Sequence, residues 1–180
     1  VSFVGNTARI NSLNFDINTH LEVGVHPVDD VEIRRLTLIN HSGSGRNLGI
    51  TSYQEIVLDD AAADLTHPAF SKMRLRSEFA ADQQTLVFSR FSSRNSLPAL
   101  GCRVFSQGGG ATFEGFESSR LNFFGRTGQS FDPTMAPLSN SDGFTLDQIA
   151  SFRNNIYVAP KTTVKIYYLN AVARDQKTVL

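Results

Sequence analysis

The stretch LNFDINTHLEVGV, residues 13–25, decides the fold class. Leu13, Phe15, Ile17, Leu21, Val23 and Val25 stand at every second position, with Thr19 filling the gap. Asn14, Asp16, Asn18, His20 and Glu22 alternate with them. A period of two marks a strand with one buried and one wet face, because successive side chains leave the backbone on opposite sides. As a single strand this stretch would span about 44 Å, at roughly 3.4 Å per residue. That is long for a strand, so a bend or bulge is expected near Thr19 and His20.

More strands follow on both chemical and spacing grounds. VEIRRLTLI (31–39) and NLGITSYQEIVL (47–58) flank NHSGSGR, which reads as a hairpin loop. KMRLRSEF (72–79) and QTLVFSRF (84–91) are joined by the polar turn AADQ. ALGCRVFS (99–106) and ATFEGFES (111–118) are separated by QGGG, a second hairpin signal. A last pair of strands lies in NNIYVAPKTTVKIYYLNAVA (154–173), around APKT. Only FTLDQIAS (144–151) and ARDQKTVL (173–180) invite helix, and both are short. Residues 125–143 read as loop. Many short strands with Gly and Asn turns between them predict an all-β, antiparallel sandwich with at most short helices.

The 180 residues suffice for one domain with a real core. Seventeen basic and seventeen acidic residues cancel, so nothing electrostatic points to nucleic acid or an anionic membrane as partner. No apolar run is long enough to span a bilayer, and VSFVGNTARI has none of the layout of a signal peptide. The chain does not begin with methionine, which fits a piece of a longer protein. Its one cysteine, Cys102, cannot form an internal disulfide, which fits a reducing compartment.

Each cluster of reactive residues has a structural reading that outweighs the chemical one. His20, Glu22 and His26 share a strand face, but His20 and His26 would lie about 20 Å apart, too far to share one metal ion. HSGSGR (41–46) leads into a strand rather than a helix and carries no Gly-Lys-Ser/Thr, so it reads as a turn rather than a phosphate loop. DDAAAD (59–64) lacks the ligand spacing of a calcium loop and reads as a polar exit from a strand. HPAFSKM (67–73) places His67, Ser71 and Lys72 together. Its spacing is not that of a Ser-x-x-Lys nucleophile, and Pro68 holds His67 extended. It reads as a tight corner with Phe70 plugged into the core. No cofactor is expected from any of these patterns.

Four segments in order, VDDVEIRRLTLINHS, LGITSYQEIVLDDAAADLTHPAFSKM, NFFGR and YVAPKTTVKIYYLNAVARD, resemble the β-supersandwich domain of glycoside hydrolase family 94. The likeness is closest to the phosphorylase-like region of cyclic β-1,2-glucan synthases. The resemblance implies a galactose-mutarotase-like supersandwich over residues 1–173, incomplete at its N-terminal side, with 174–180 beginning a linker helix. That helix would lead to an (α/α)6 catalytic barrel carrying the general acid and the phosphate site. This chain by itself is therefore expected to be inactive, with no catalytic residue and no metal. The parent would be a membrane enzyme with this domain on the cytoplasmic side of a bacterial inner membrane, making no direct membrane contact. The partners implied are a β-glucan substrate, the chain's own barrel and a second copy, with no nucleic acid. His67, Lys72 and Arg126 are the residues the resemblance nominates for substrate binding or a domain interface. Where the family often reads Gly-Arg-Gly-Arg, this chain has Gly125, Arg126, Thr127 and Gly128.

Two other functions fit the composition. A stand-alone sugar-binding module would stack sugars on exposed aromatics. With no Trp, that role would fall to Tyr53, Tyr157, Tyr167 or Tyr168. A mutarotase-like enzyme would need a His and a carboxylate in one cleft, and His67 is the histidine to nominate.

Overall fold

The computed structural model describes residues 1–91, 99–107, 110–125 and 137–180. Two antiparallel sheets face each other. The large one runs in the order β1 (Ser2–Val4), β2 (Thr7–Asn14), β3 (Ile17–Val25), β4 (Val31–Asn40), β12 (Thr163–Ala173), β9 (Ala99–Gln107), β8 (Thr85–Arg90) and β7 (Leu75–Ala80). The small one holds β10 (Ala111–Ser119), β11 (Gln148–Val158) and β5 (Arg46–Thr51), with β6 (Gln54–Glu55) also paired to β11. Short helices α1 (Ala61–Thr66), α2 (Pro68–Lys72), α3 (Arg120–Phe124) and α4 (Gln176–Val179) lie at the ends and on one face. This is the expected all-β sandwich.

Residues 13–25 are not one bent strand. They are the end of β2, a two-residue turn and all of β3. Phe15 (φ 49°) and Asp16 (φ 64°) are both left-handed, as the tight hairpin turn that suits sheet twist requires. The turn shifts the phase of the alternation. Ile17 is buried, whereas Leu13 is 65% and Phe15 90% exposed. The hydrophobic period was real but covered two strands.

The inner faces meet in one core. Leu38 of β4, Ile166 and Val164 of β12, Val104 of β9 and Phe88 of β8 pack toward Phe116 of β10 and Phe152, Ile156 and Val158 of β11. Cys102 is buried among them, and burial pushes its thiol up to about 12, so it stays protonated. The outer strands β1 and β2 reach past this core, leaving Phe3 80% exposed at the edge.

Three turn signals join different sheets instead of closing hairpins. NHSGSGR carries the chain from β4 to β5, APKT from β11 to β12, and QGGG from β9 to β10; Gly108 and Gly109 lie outside the described residues. Fully buried Asn40 clasps the first two arches. Its Nδ2 donates to Ser44 O (2.8 Å), Val158 O (3.1 Å) and Ala159 O (3.2 Å). Its Oδ1 accepts from Ser42 N (2.9 Å) and Ser42 Oγ (2.7 Å). The backbone N of His41 donates to Asp16 O, which ties the β2–β3 turn to the same end.

The chain returns from the small sheet to the large one through α1 and α2. Asp60 caps α1 by accepting from Ala63 N (2.8 Å), so DDAAAD begins a helix rather than ending a strand. Pro68 opens α2, where its missing N–H does no harm. Phe70 is not the plug: it is 68% exposed. Ser71 turns inward instead. Its hydroxyl donates to Asp59 Oδ2 (2.7 Å), and Arg90 Nη2 lies 2.5 Å from the same oxygen. In a short two-turn corner the side chain that can satisfy a buried ion pair goes inside.

FTLDQIAS does not form a helix either. Gln148 begins β11, and Phe144 and Leu146 are 66% and 75% exposed. Eight residues rarely hold a helix without a face to pack, whereas pairing with β10 and β6 satisfies the backbone from residue 148 onward. The expected helix at the chain's end is present only as α4, which crosses the outer face of the large sheet. Gly101 makes room for it, since a Cβ there would come within 2.1 Å of Val179 Cγ1.

Two stability predictions follow from these clasps. Asn40→Ala removes the amide from the buried Val158 carbonyl and two half-buried ones and should cost about 2–3 kcal/mol, lowering Tm by roughly 5–10 °C. The neighbouring His41→Ala should be nearly silent, and equal shifts in thermal melts would refute the clasp. The Ser71 hydroxyl, the Asp60 amide and Arg90 hold the Asp59 carboxyl below its usual range. A depressed folded value means stability that is complete above the unfolded carboxylate range and lost as pH falls through the folded value. Wild type should therefore lose Tm below about pH 4, and Asp59→Asn should show a lower Tm at neutral pH with a shallower acid limb. Parallel acid limbs in melts at neutral and acidic pH would remove Asp59 from this role.

Candidate functional site

Two of the residues nominated from sequence, Tyr53 and Lys72, join one polar network at the end of the sandwich opposite Asn40. β6 brings Tyr53 and Glu55 to the start of β11. Ser119 caps α3, its hydroxyl accepting from Asn122 N, so the run after β10 folds into a helical turn. That turn places Arg120, Phe123 and Phe124 beside Tyr53. The Tyr53 ring packs on Phe123 (5.3 Å between centroids) and edge-on to Phe124 (5.1 Å, 65°). Phe123 is buried with Leu138 and Ile149 in a small core of its own.

The polar groups interlock over this aromatic base. Tyr53 OH donates to Glu55 Oε1 (3.1 Å) and accepts from Arg120 Nε (3.3 Å). Burial is the main reason the Tyr53 phenol is held above its ordinary value. Arg120 also reaches Asp147 Oδ2 (3.5 Å) and lies over the Phe124 ring, 5.5 Å from its centre. Lys72 Nζ closes the network on Asp147 Oδ1 at 2.8 Å, with both side chains largely buried. Lys72 and Arg120 thus balance Glu55 and Asp147.

Exposed apolar side chains stand next in sequence to these charges: Met73 follows Lys72, Leu121 follows Arg120, and Phe144 and Leu146 precede Asp147. Each is more than half exposed. Behind them, buried Glu117 anchors the segment 139–141. It accepts from Ser139 N (3.3 Å), Ser119 N (2.9 Å) and the Ser139 and Ser141 hydroxyls. A charge-balanced patch with exposed apolar neighbours suits contact with another protein surface better than capture of an ion.

Of the nominated residues, Lys72 belongs to this network. His67 does not: it is the joint between α1 and α2, exposed, with its ring edge-on to Phe70 at 6.1 Å. Arg126 lies outside the described residues, just after Gly125, whose φ of 72° turns the chain out of α3. Sequence reasoning missed Glu55, Arg120 and Asp147, and weighed Tyr53 only as a sugar stacker. Glu55 lies within TSYQE and Arg120 just before NFFGR, a signal that could have found them, whereas Asp147 lies near neither.

The other candidates resolve into local pairings. Glu22 lies between Arg9 (3.2 Å) and Arg35, His20 pairs with Asn11, and His26 accepts from Asp29 N. Among the described residues no group of three His, Cys, Asp or Glu side chains could hold a metal. No helix among them is long and apolar enough to cross a membrane.

Comparison with known proteins agrees with this architecture. The chain is 33% identical over 171 residues to the cyclic β-(1,2)-glucan synthase NdvB of Rhizobium meliloti (strain 1021). That match covers 91% of this chain and 6% of the synthase, so the chain spans a small fraction of its relative's length. A solved polysaccharide lyase, BACCELL_00875, shares the fold with a TM-score of 0.54 at 10% identity, over 94% of this chain and 22% of the lyase. The glycosyl hydrolase 94 supersandwich domain matches residues 1–180 from end to end, and the chain belongs to that family.

Proposed function

We propose that this chain is the non-catalytic β-sandwich domain of a larger enzyme that builds or phosphorolyses a β-(1,2)-linked glucan, and that it supports an (α/α)6 catalytic barrel. The observation carrying this reading is the polar network at one end of the sandwich. Tyr53, Lys72, Arg120 and Asp147 come from distant parts of the chain, yet they form one charge-neutral network bordered by exposed Leu121, Phe144 and Leu146. Apolar side chains left in water around satisfied ion pairs are what a domain interface looks like with its partner removed. Glu55 and Asp147 are paired with cations, and buried Glu117 is taken up by Ser119, Ser139 and Ser141, so the carboxylates there are engaged within the domain. In this reading Lys72 and Arg120 shape the interface rather than touch the reacting sugar. The parent is a bacterial membrane enzyme, and this domain sits on its cytoplasmic side.

The test uses the isolated chain and the parent. Incubated with β-(1,2)-glucan and phosphate, the isolated chain should release no glucose 1-phosphate above a boiled control. Leu146→Asp in the parent should lower activity by roughly tenfold, the effect of about 1.4 kcal/mol of lost docking, while leaving the isolated domain's Tm unchanged. Turnover by the isolated chain, or full activity in the Leu146→Asp parent, would overturn the proposal.

A further inference from the structure

The outer face of the large sheet carries a different constellation. Strand register brings Arg9 of β2, Glu22 of β3, Arg35 of β4, Tyr167 of β12 and Phe105 of β9 into one row across five strands. The next row along is Asn11, His20, Thr37, Lys165 and Gln107. Alternation puts both rows on the side away from the core, whose members Leu36 and Ile166 occupy the intervening positions.

The row is built rather than accidental. Tyr167 and Phe105 stack with centroids 5.0 Å apart and planes 10° apart, and Phe105 remains 41% exposed. Tyr167 OH donates to Gln107 Oε1 (3.1 Å), which fixes the ring. Glu22 bridges two guanidiniums, accepting from Arg35 Nε (2.8 Å) and lying 3.2 Å from Arg9 Nε. Its carboxyl is held below the ordinary range, chiefly by the hydrogen bond from Arg35. The Arg9 and Arg35 side chains are still 45% and 42% exposed. The loop after β3, pinned by the Asp29 N to His26 Nδ1 hydrogen bond (3.0 Å), walls one side. The resulting depression of about 410 Å³ is lined by Thr7, Arg9, Glu22, His26, Arg35 and Tyr167. That volume falls in the usual range for small-ligand sites, about 300–1,000 Å³.

We propose that this depression and the aromatic pair beside it form an oligosaccharide site for a neutral, β-linked glucan. The inference rests on the proposed function for the ligand's identity and on the row itself for its place. A glucose ring offers an apolar C–H face and forks of neighbouring hydroxyls. Aromatic rings take the first, and planar groups carrying paired donors or acceptors take the second. Tyr167 and Phe105 supply rings; Arg9, Glu22 and Arg35 supply alternating donors and acceptors. Because Glu22 stands between the guanidiniums, the row makes little demand for a polyanion. The polar row beside it breaks up any apolar patch that a second protein would need. Of the four tyrosines nominated as stackers, Tyr168 points inward with its hydroxyl pushed above the ordinary range by burial. Tyr53 belongs to the interface at the sandwich end. Tyr157 lies against Gly45, where a Cβ would come within 2.1 Å of its hydroxyl. Only Tyr167 adjoins both a second ring and the charged row.

The test titrates the 180-residue chain with β-(1,2)-linked glucose oligosaccharides, read by backbone amide shifts. Saturable binding is expected, with shifts centred on Arg9, Glu22, Arg35, Phe105 and Tyr167. Tyr167→Ala and Phe105→Leu should each weaken it roughly fivefold or more, and Tyr157→Ala should bind like wild type; thermal melts verify that each variant is folded. No saturable binding at millimolar sugar, shifts centred on Tyr53 and Arg120, or unchanged affinity in both Tyr167→Ala and Phe105→Leu would overturn the site. The Leu146→Asp activity measurement is independent of this titration, so the site and the proposed function can fail separately.

Discussion

A chain that crosses from one sheet to the other must bury the arch that carries it, and the arch's backbone groups must still find partners. Asn40 meets that constraint twice with one amide. It sits at the last residue of β4, where the chain leaves the large sheet, and reaches the carbonyls of Val158 and Ala159, where the chain comes back. Both central strands of the core, β4 and β11, are therefore held in register from the same end. Remove that amide and the buried Val158 carbonyl loses this donor. The facing of Leu38 and Ile166 toward Phe152 and Ile156 depends on this alignment.

The opposite end is organised by packing rather than by a single clasp. β6, α2, α3 and the segment before β11 all end there, and each contributes one polar side chain to the network on Asp147 and Glu55. Tyr53 couples the two layers, since its ring belongs to the aromatic cluster and its hydroxyl to the ion network. The sandwich thus has one end clasped by Asn40 and the other carrying the ion network. That asymmetry gives the domain a direction, and the proposed barrel contact uses the second end.

The outer face of the large sheet is a third region with its own chemistry. α4 covers the part over Gly101 of β9, and the row from Arg9 to Phe105 crosses the same strand four residues further along. Covering an interface at one end leaves this face in water. Docking to a catalytic partner and holding a glucan chain are therefore compatible in one domain.

The alternation from Ile17 to Val23 was enough to establish a half-buried strand, because a two-residue period has no other economical explanation. The density of such strands established an all-β sandwich, and the four family-like segments established its kinship. Turn chemistry went less far. NHSGSGR and APKT specify that the chain reverses, and Gly, Ser and Pro serve a hairpin and an arch equally well. Which sheet the next strand joins is decided by which core it can enter, a comparison between distant residues. The same holds for HPAFSKM, where local reasoning favours Phe70 inside and the fold buries Ser71, because Asp59 and Arg90 arrive there from other segments. The polar network at Tyr53 and the outer row at Tyr167 were out of reach for that reason. Their members are ordinary residues in sequence, and only strand register and sheet packing bring them within hydrogen-bonding distance.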